Sequence, residues 1–119
     1  MKAGKVWGET ELIFSNPLVE FHRIEVNAGY RCSTHKHEHK WNGFYVEQGT
    51  LSIYVEKNDY NLVDKTTLYT GQFAVVKPGE YHYFVAEDNV VAFEIYWPEL
   101  LSEDIVRKNS GGPIVRDNF

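Results

Sequence analysis

Three histidines at alternate positions are the residues of this sequence whose type and spacing point most directly to chemistry. His35, His37 and His39 lie in the segment Thr-His-Lys-His-Glu-His-Lys. In an extended segment, successive side chains point to opposite faces, so alternate histidines share one face and can converge on an ion. Imidazole is the commonest metal ligand in proteins. The spacing therefore indicates a site for a divalent metal ion.

A fourth histidine, His82, follows a Pro78-Gly79 turn much later in the chain, at the start of another apolar segment. A short histidine-rich run alone is equally typical of a solvated polar turn. A distant ligand on a neighbouring strand is what a site in the mouth of a barrel requires. His22, which stands alone in its segment, is more typical of a core or surface position than of a ligand.

Short β-strands are the elements that must position these histidines. Seven segments are rich in β-branched and aromatic residues, namely residues 11–14, 19–26, 43–47, 51–56, 73–76, 81–85 and 90–97. Turn-forming residues separate them, as in Asn27-Ala28-Gly29. A parallel sheet would need amphipathic helices between strands, and the sequence has none there. The pattern predicts an all-β sandwich or closed barrel.

One helix is predicted, over residues 99–108. Pro98 precedes it, acidic residues occur in its first turns, and Arg107 and Lys108 lie in its last turn, as the helix dipole favours. A chain of 119 residues is large enough for one continuous core. We therefore expect a single domain over residues 1–119.

Charge and composition narrow the classes of partner. A net charge of -5 argues against nucleic acid and against an anionic membrane surface, because both attract basic faces. No apolar run is long enough to span a bilayer, and the N-terminal segment lacks the apolar core of a signal peptide. The single cysteine, Cys32, cannot form an internal disulfide. We expect a cytoplasmic protein with a small-molecule ligand or substrate.

Two spaced motifs resemble those of the cupin superfamily. The first cupin motif contains a glycine, a His-x-His pair, a glutamate and a glycine, and this chain has Gly29, His35-Lys36-His37, Asn42 and Gly49 at those places. The second contains a glycine, Pro-x-Gly, a histidine and an asparagine, and this chain has Gly71, Lys77-Pro78-Gly79, His82 and Ala86. The resemblance implies a double-stranded β-helix, that is, a jelly-roll barrel, to which the short C-terminal helix is added.

By this resemblance His35, His37 and His82 fall on three metal positions of the family, and Asn42 falls on the fourth, where the family has glutamate. An amide oxygen is a neutral and weaker ligand than a carboxylate. The fourth ligand is therefore Asn42 itself, a side chain that takes its place (His39 or Glu38), or water. The implied ion is divalent, and zinc, manganese, iron and nickel remain open.

Three functions fit such a site. Resemblance to small cupins similar to mannose-6-phosphate isomerase implies a metal-dependent isomerase or epimerase of a small carbohydrate or sugar phosphate, in which a base moves a proton. A three-histidine site also suits a non-haem iron dioxygenase. The third alternative is a cupin that binds a small ligand without catalysis. The sequence identifies no catalytic base, although Glu94 is a candidate if its strand turns it into the barrel.

The N-terminal segment predicts a homodimer. It is rich in apolar side chains that lie outside the cupin motifs, namely Val6, Trp7, Leu12, Ile13 and Phe14. An apolar strand at the edge of a sheet invites pairing with another chain, and a partner subunit can cover it.

Overall fold

Two antiparallel sheets make up the computed structural model of this chain, which describes residues 1–57, 62–98, 108, 110 and 112–114. The strands are β1 (Lys2–Lys5), β2 (Gly8–Asn16), β3 (Val19–Val26), β4 (Trp41–Gln48), β5 (Leu51–Glu56), β6 (Val63–Leu68), β7 (Phe73–Val76), β8 (His82–Ala86) and β9 (Val90–Trp97). The larger sheet has the order β1-β2-β3-β9-β4-β7 and the smaller one β6-β5-β8. Because the chain passes repeatedly between the sheets, the fold is the predicted double-stranded β-helix.

The core lies between the two sheets. Alternation along each strand sends every second side chain inward, as with Ile24 on β3, Phe44 on β4 and Leu51 on β5, all fully buried. Phe84 on β8 completes the contact from the smaller sheet. Burial of this apolar surface, at about 25 cal/mol per Å², is the main force that holds the sheets together.

The sequence pattern missed two strands, β1 and β6. Both lie at the edge of a sheet, and both are mostly exposed. An edge strand is held chiefly by backbone pairing with one neighbour, so its side chains carry little of the apolar alternation by which strands are recognised. The helix expected over residues 99–108 lies outside the described residues except at Lys108, and it stays a prediction.

The described residues contain no helix that is long and apolar enough to cross a membrane.

The segment between β3 and β4, which carries His35 and His37, is tied to β8 by backbone hydrogen bonds. The Cys32 amide donates to the Phe84 carbonyl at 3.2 Å, and His35 and His82 exchange two bonds of 3.0 and 2.8 Å. The Gly79 amide donates to the His37 carbonyl at 2.8 Å. The two motif regions are therefore paired, although they are distant in sequence.

Two glycines in turns of the barrel share one backbone conformation but differ in their surroundings. Gly49 and Gly71 have φ values of 90° and 85°. A Cβ at Gly49 would lie 2.4 Å from the Asn89 carbonyl oxygen, whereas one at Gly71 would meet nothing within 4 Å. Beside Gly49, the Thr50 amide donates to Asp88 Oδ1 at 2.7 Å. Gly49 is therefore required for close packing as well as for its φ.

We predict that Gly49→Ala destabilises the protein more than Gly71→Ala. Both substitutions place a Cβ in a left-handed conformation, at a cost of about 1–2 kcal/mol. Only Gly49→Ala adds an overpacking cost of about 1–3 kcal/mol, because backbone atoms must move. Urea unfolding of the two variants measures the difference, and equal free energies of unfolding would contradict the described packing of this turn.

Candidate metal centre

Three histidines lie close together, and one of them, His82, is the first residue of β8. The ligand atoms of His35, His37 and His82 are all within 4.8 Å of one another. The isolated bridge between His35 and His82 brings the first motif to the second. This is a group that could hold a metal ion, and it is the only such group of histidine, cysteine and acidic residues in the described part of the chain.

The hydrogen bonds of the rings leave Nε2 lone pairs available. His35 Nδ1 lies 2.8 Å from the Ser33 carbonyl oxygen, and His82 Nδ1 lies 2.9 Å from that of Glu80. A carbonyl oxygen only accepts, so Nδ1 carries the hydrogen and Nε2 keeps its lone pair. Metal-binding histidines commonly donate their other N–H to a carbonyl in this way.

His37 provides the strongest sign that an ion fits. Its Nε2 is buried and has no hydrogen-bond partner in the described part of the chain. A buried polar atom without a partner is costly and rare in folded proteins. A metal ion held by the three imidazoles would satisfy this nitrogen, so the residues present fit the group that the cupin motifs imply.

Asn42 is buried beside the histidines. Its Nδ2 lies 3.5 Å from both Glu94 Oε2 and the Gly43 carbonyl oxygen, and its Oδ1 lies 3.1 Å from His82 Nε2. Because Nδ1 of His82 carries the hydrogen, Nε2 of His82 is an acceptor, and Oδ1 of Asn42 is an acceptor too. An ion held between these two acceptors would account for the contact.

Burial keeps the imidazoles in the form that binds metals. Burial, together with the nearby His35 and His82, lowers the pKa of His37 to about 4. Burial also lowers the pKa of His82. Metals bind the neutral ring, and at neutral pH these two rings are therefore ready to act as ligands.

His39 does not join the group. The chain bends at Glu38 and His39, and His39 instead lines a separate cavity of about 200 Å³ with Lys40 and Trp97. The expectation that three alternate histidines share one face therefore holds for His35 and His37 and fails for His39, because the extended conformation ends before it. Asn42 Oδ1 lies 3.1 Å from His82 Nε2, whereas neither His39 nor Glu38 belongs to the histidine group.

A cavity of about 550 Å³ opens beside the histidines. His35, Glu94 and Tyr96 line it, together with Lys5, Trp7 and Arg31 from elsewhere in the chain. Its volume lies in the range of small-molecule sites. The sequence pattern gave no signal for Lys5, Trp7, Arg31 or Tyr96, since none of them belongs to a motif.

Glu94 is a buried carboxyl group in the wall of this cavity, only 7% exposed. The Tyr96 hydroxyl donates to its Oε2 at 2.5 Å, and Asn42 Nδ2 approaches the same oxygen. Burial raises the pKa of the Glu94 carboxyl above its ordinary value. The alternation of β9 indicated that Glu94 could point inward, opposite to Phe93 and Ile95, and the structure confirms this orientation.

Cys32 lines the same cavity but is not suited to act as a nucleophile. Its side chain is buried, and its Sγ accepts a hydrogen bond from the Phe84 amide at 3.2 Å. Burial raises the pKa of the thiol to about 11, so it is neutral at physiological pH. The thiolate is the reactive form, so Cys32 is a packed thiol in this environment.

A jelly-roll barrel with convergent imidazoles inside it defines the class of protein. A family model described as the cupin domain matches residues 22–98. The chain therefore belongs to the cupin family. No curated protein matches it.

Solved structures resemble this chain in fold. KdgF from Halomonas sp. aligns with a TM-score of 0.69 at 18% identity, over 81% of this chain and 84% of that one. A cupin superfamily protein from Desulfitobacterium hafniense aligns with a TM-score of 0.67 at 12% identity, over 82% and 83%. An oxalate decarboxylase of Lactobacillus farciminis, in complex with formate, aligns with a TM-score of 0.69 at 17% identity, over 84% of this chain and 31% of that one.

We predict that His37→Ala and His82→Ala each lose bound metal, whereas His39→Ala keeps it. The affinity of the first two should fall by more than about tenfold, since even residues one shell beyond the ligands matter that much. Elemental analysis after equilibration with zinc, manganese, iron(II) or nickel measures metal per chain. Full retention in His82→Ala would refute the ligand assignment.

Asn42 variants test the fourth position separately. If its oxygen is a ligand, Asn42→Ala should bind metal modestly more weakly, and Asn42→Glu should bind it more tightly by adding a negative charge. Equal affinities of the wild type and both variants would leave water as the fourth ligand.

Proposed function

We propose that this cupin is a metal-dependent isomerase or epimerase of a small carbohydrate, with Glu94 as the group that moves the proton. One observation carries the proposal: Glu94, a buried carboxyl group, lines the same cavity as the metal-site residue His35. Isomerisation and epimerisation next to a carbonyl need such a pair, a group that polarises oxygen and a group that transfers a proton.

In this proposal His35, His37, His82 and the oxygen of Asn42 hold a divalent ion of zinc, manganese, iron or nickel. When bound, the ion supplies Lewis-acid chemistry, which polarises a substrate carbonyl and acidifies the neighbouring C–H bond. All four protein ligands are neutral, so the positive charge of the site is not cancelled by the ligands themselves.

Glu94 transfers the proton in this scheme. Its Oε2 accepts hydrogen bonds from Tyr96 and Asn42, which fix the carboxyl group and stabilise its negative form. No described residue forms a hydrogen bond to Oε1, so this oxygen is the one available to a substrate. In an isomerase it takes the proton from the carbon beside the carbonyl and returns it to the carbonyl carbon, while the proton of the neighbouring hydroxyl moves to the former carbonyl oxygen. In an epimerase it takes the same proton, and a water molecule in the open cavity returns one to the opposite face of that carbon.

The remaining wall of the cavity suits a hydroxylated substrate. Thr10, His22 and Ser33 contribute polar groups to it, and the indole of Trp7 contributes an apolar surface. Small-molecule sites typically combine apolar walls with a few polar groups that fix orientation. This mixture supports a carbohydrate better than a wholly apolar ligand.

We predict that metal-loaded wild-type protein, incubated in deuterated water with pentoses, hexoses and their phosphates, introduces deuterium beside the carbonyl of its substrate. Glu94→Gln should lower the exchange rate by about 100-fold or more, because loss of a general base costs on the order of 10²–10⁴. Mass spectrometry of the sugar measures the exchange. Glu47→Gln, at an exposed position of β4, is the control and should exchange at the wild-type rate.

The same assay separates the alternatives. Unchanged exchange in Glu94→Gln would reject Glu94 as the proton carrier. If no sugar exchanges while the iron(II)-loaded protein consumes oxygen with another substrate, the function is that of a non-haem iron dioxygenase. If both assays are negative and a small ligand still binds, the chain is a non-catalytic binding protein.

We also propose a homodimer formed through the N-terminal edge of the larger sheet. β1 is the outermost strand there, and Val6, Ile13 and Phe14 are 90%, 48% and 53% exposed. Apolar side chains next to an unpaired strand edge favour pairing with a second copy. Because a twofold dimer uses the same surface on both subunits, one substitution alters the interface twice.

We expect light scattering at micromolar concentration to give about twice the chain mass of 13.8 kDa, because two copies cover each other's edge. Phe14→Asp should shift the protein toward the monomer. Val63→Asp is the matched control, since Val63 is exposed on the edge strand β6 of the other sheet. A monomeric wild type, or a Phe14→Asp variant that stays dimeric, would contradict this interface.

A further inference from the structure

Part of the cavity wall comes from a hairpin that lies outside the matched family region, residues 22–98. Lys5, Val6 and Trp7, at the turn between β1 and β2, line the cavity together with Thr10 on β2. Side chains that a family model does not include are the ones that can adapt a common barrel to a particular ligand. The chemistry of this hairpin is therefore informative about what the cavity binds.

The hairpin turn is held firmly against the barrel. The Asn27 amide donates to the Trp7 carbonyl at 2.9 Å, and the Trp7 ring meets Phe84 edge to face at 5.1 Å. At Gly8 an added Cβ would lie 1.9 Å from the Glu25 carbonyl oxygen, so the backbones are in close contact. The turn is therefore a fixed part of the cavity wall, and it holds the backbone next to Lys5.

Two cationic side chains and only one acidic side chain line the cavity. The cations are Lys5 and Arg31, and the acid is Glu94, which is already bonded to Tyr96 and Asn42. Lys5 and Arg31 form no salt bridge within the described chain, whereas Lys36 and Lys40 are paired with Glu38 and Glu20. The cavity is thus cationic in a chain whose net charge is -5.

Two hydrogen bonds and stacking hold the Arg31 side chain in one orientation. Its Nε donates to the Cys32 carbonyl at 2.9 Å, and its Nη2 donates to Thr34 Oγ1 at 2.6 Å. Its guanidinium lies 3.8 Å from the centre of the Tyr83 ring, which restricts it further. A guanidinium has five N–H donors, and these bonds use two of them. The others remain for a ligand with the planar geometry of a carboxylate or the several oxygens of a phosphate.

We propose that the cavity takes an anionic sugar, a small hydroxylated molecule whose carboxylate or phosphate is bound by Lys5 and Arg31. The inference rests on the proposed function for the opposite end of the ligand, which lies toward His35 and Glu94. Four neutral metal ligands leave the charge of an ion uncompensated, so a bound ion adds to the attraction. Trp7 supplies an apolar surface for the C–H face of the sugar.

The test uses three sugars that differ only at carbon 6: D-glucuronate carries a carboxylate, D-glucose 6-phosphate a phosphate and D-glucose neither. Isothermal titration of the manganese-loaded protein should give at least about tenfold tighter binding of one anionic sugar than of glucose, as for a hydrogen bond to a charged group. Whichever anionic sugar binds more tightly shows whether the cavity prefers a carboxylate or a phosphate. Equal affinity for all three sugars would overturn the proposal.

Variants separate recognition by the hairpin from direct binding of the anion to the metal. Lys5→Met should weaken binding of the preferred anionic sugar by about fivefold, the upper range for an exposed ion pair, and leave glucose unchanged. Lys2→Met, on the same exposed strand β1, is the control and should leave both affinities unchanged. Arg31→Gln should weaken the anionic sugar by about tenfold, and its melting temperature shows whether the variant is folded. An anionic preference that survives both Lys5→Met and a folded Arg31→Gln would overturn the proposal.

The results also distinguish this inference from the proposed function. Lys5-dependent binding of an anionic sugar without deuterium exchange would support the inference and reject the isomerase. Exchange on neutral sugars, with no anionic preference, would reject the inference and support the isomerase.

Discussion

The reciprocal backbone hydrogen bonds between His35 and His82, of 3.0 and 2.8 Å, are the interaction on which the rest of the site depends. They join a loop to β8 and bring two imidazoles together from segments that are distant in the chain. A side chain in a loop is placed only as accurately as its backbone, and here the backbone is fixed as it would be in a sheet. Without this pairing, the histidine-rich run would be the solvated turn that its composition equally suggests.

Asn42 changes the distribution of charge in the site relative to the usual cupin motif. The motif would place a carboxylate at this position, whereas in this chain the carboxyl group of Glu94 lies one hydrogen bond further from His82, through Asn42. A ligating carboxylate would be occupied by the ion. Glu94 instead lines the cavity, where a carboxyl group can meet a ligand. In the proposed site, the carboxyl group of Glu94 is therefore free to meet a ligand and does not compensate the charge of an ion.

The N-terminal hairpin and the barrel contribute different properties to the cavity. The barrel supplies the imidazoles, Asn42 and the Glu94–Tyr96 pair from strands and loops that pack on the core. The hairpin adds Lys5 and Trp7 from outside the family match, and its turn packs directly on the backbone of β3. In our proposals the barrel carries the proton transfer and Arg31, and the hairpin adds Lys5 and Trp7 to the recognition of the ligand.

The sequence by itself determined the fold class and three of the histidine positions, because alternating strands, turn residues and two spaced motifs are local patterns that survive in one dimension. It left Glu94 as a candidate, because the register of β9 decides whether this side chain points inward and only the structure shows that register. Only the tertiary structure decided that His39 bends away, that Asn42 links His82 to Glu94, and that Lys5 and Arg31 share one cavity. These depend on where a strand ends and on which distant segments pair, and such long-range contacts leave no periodicity in the chain.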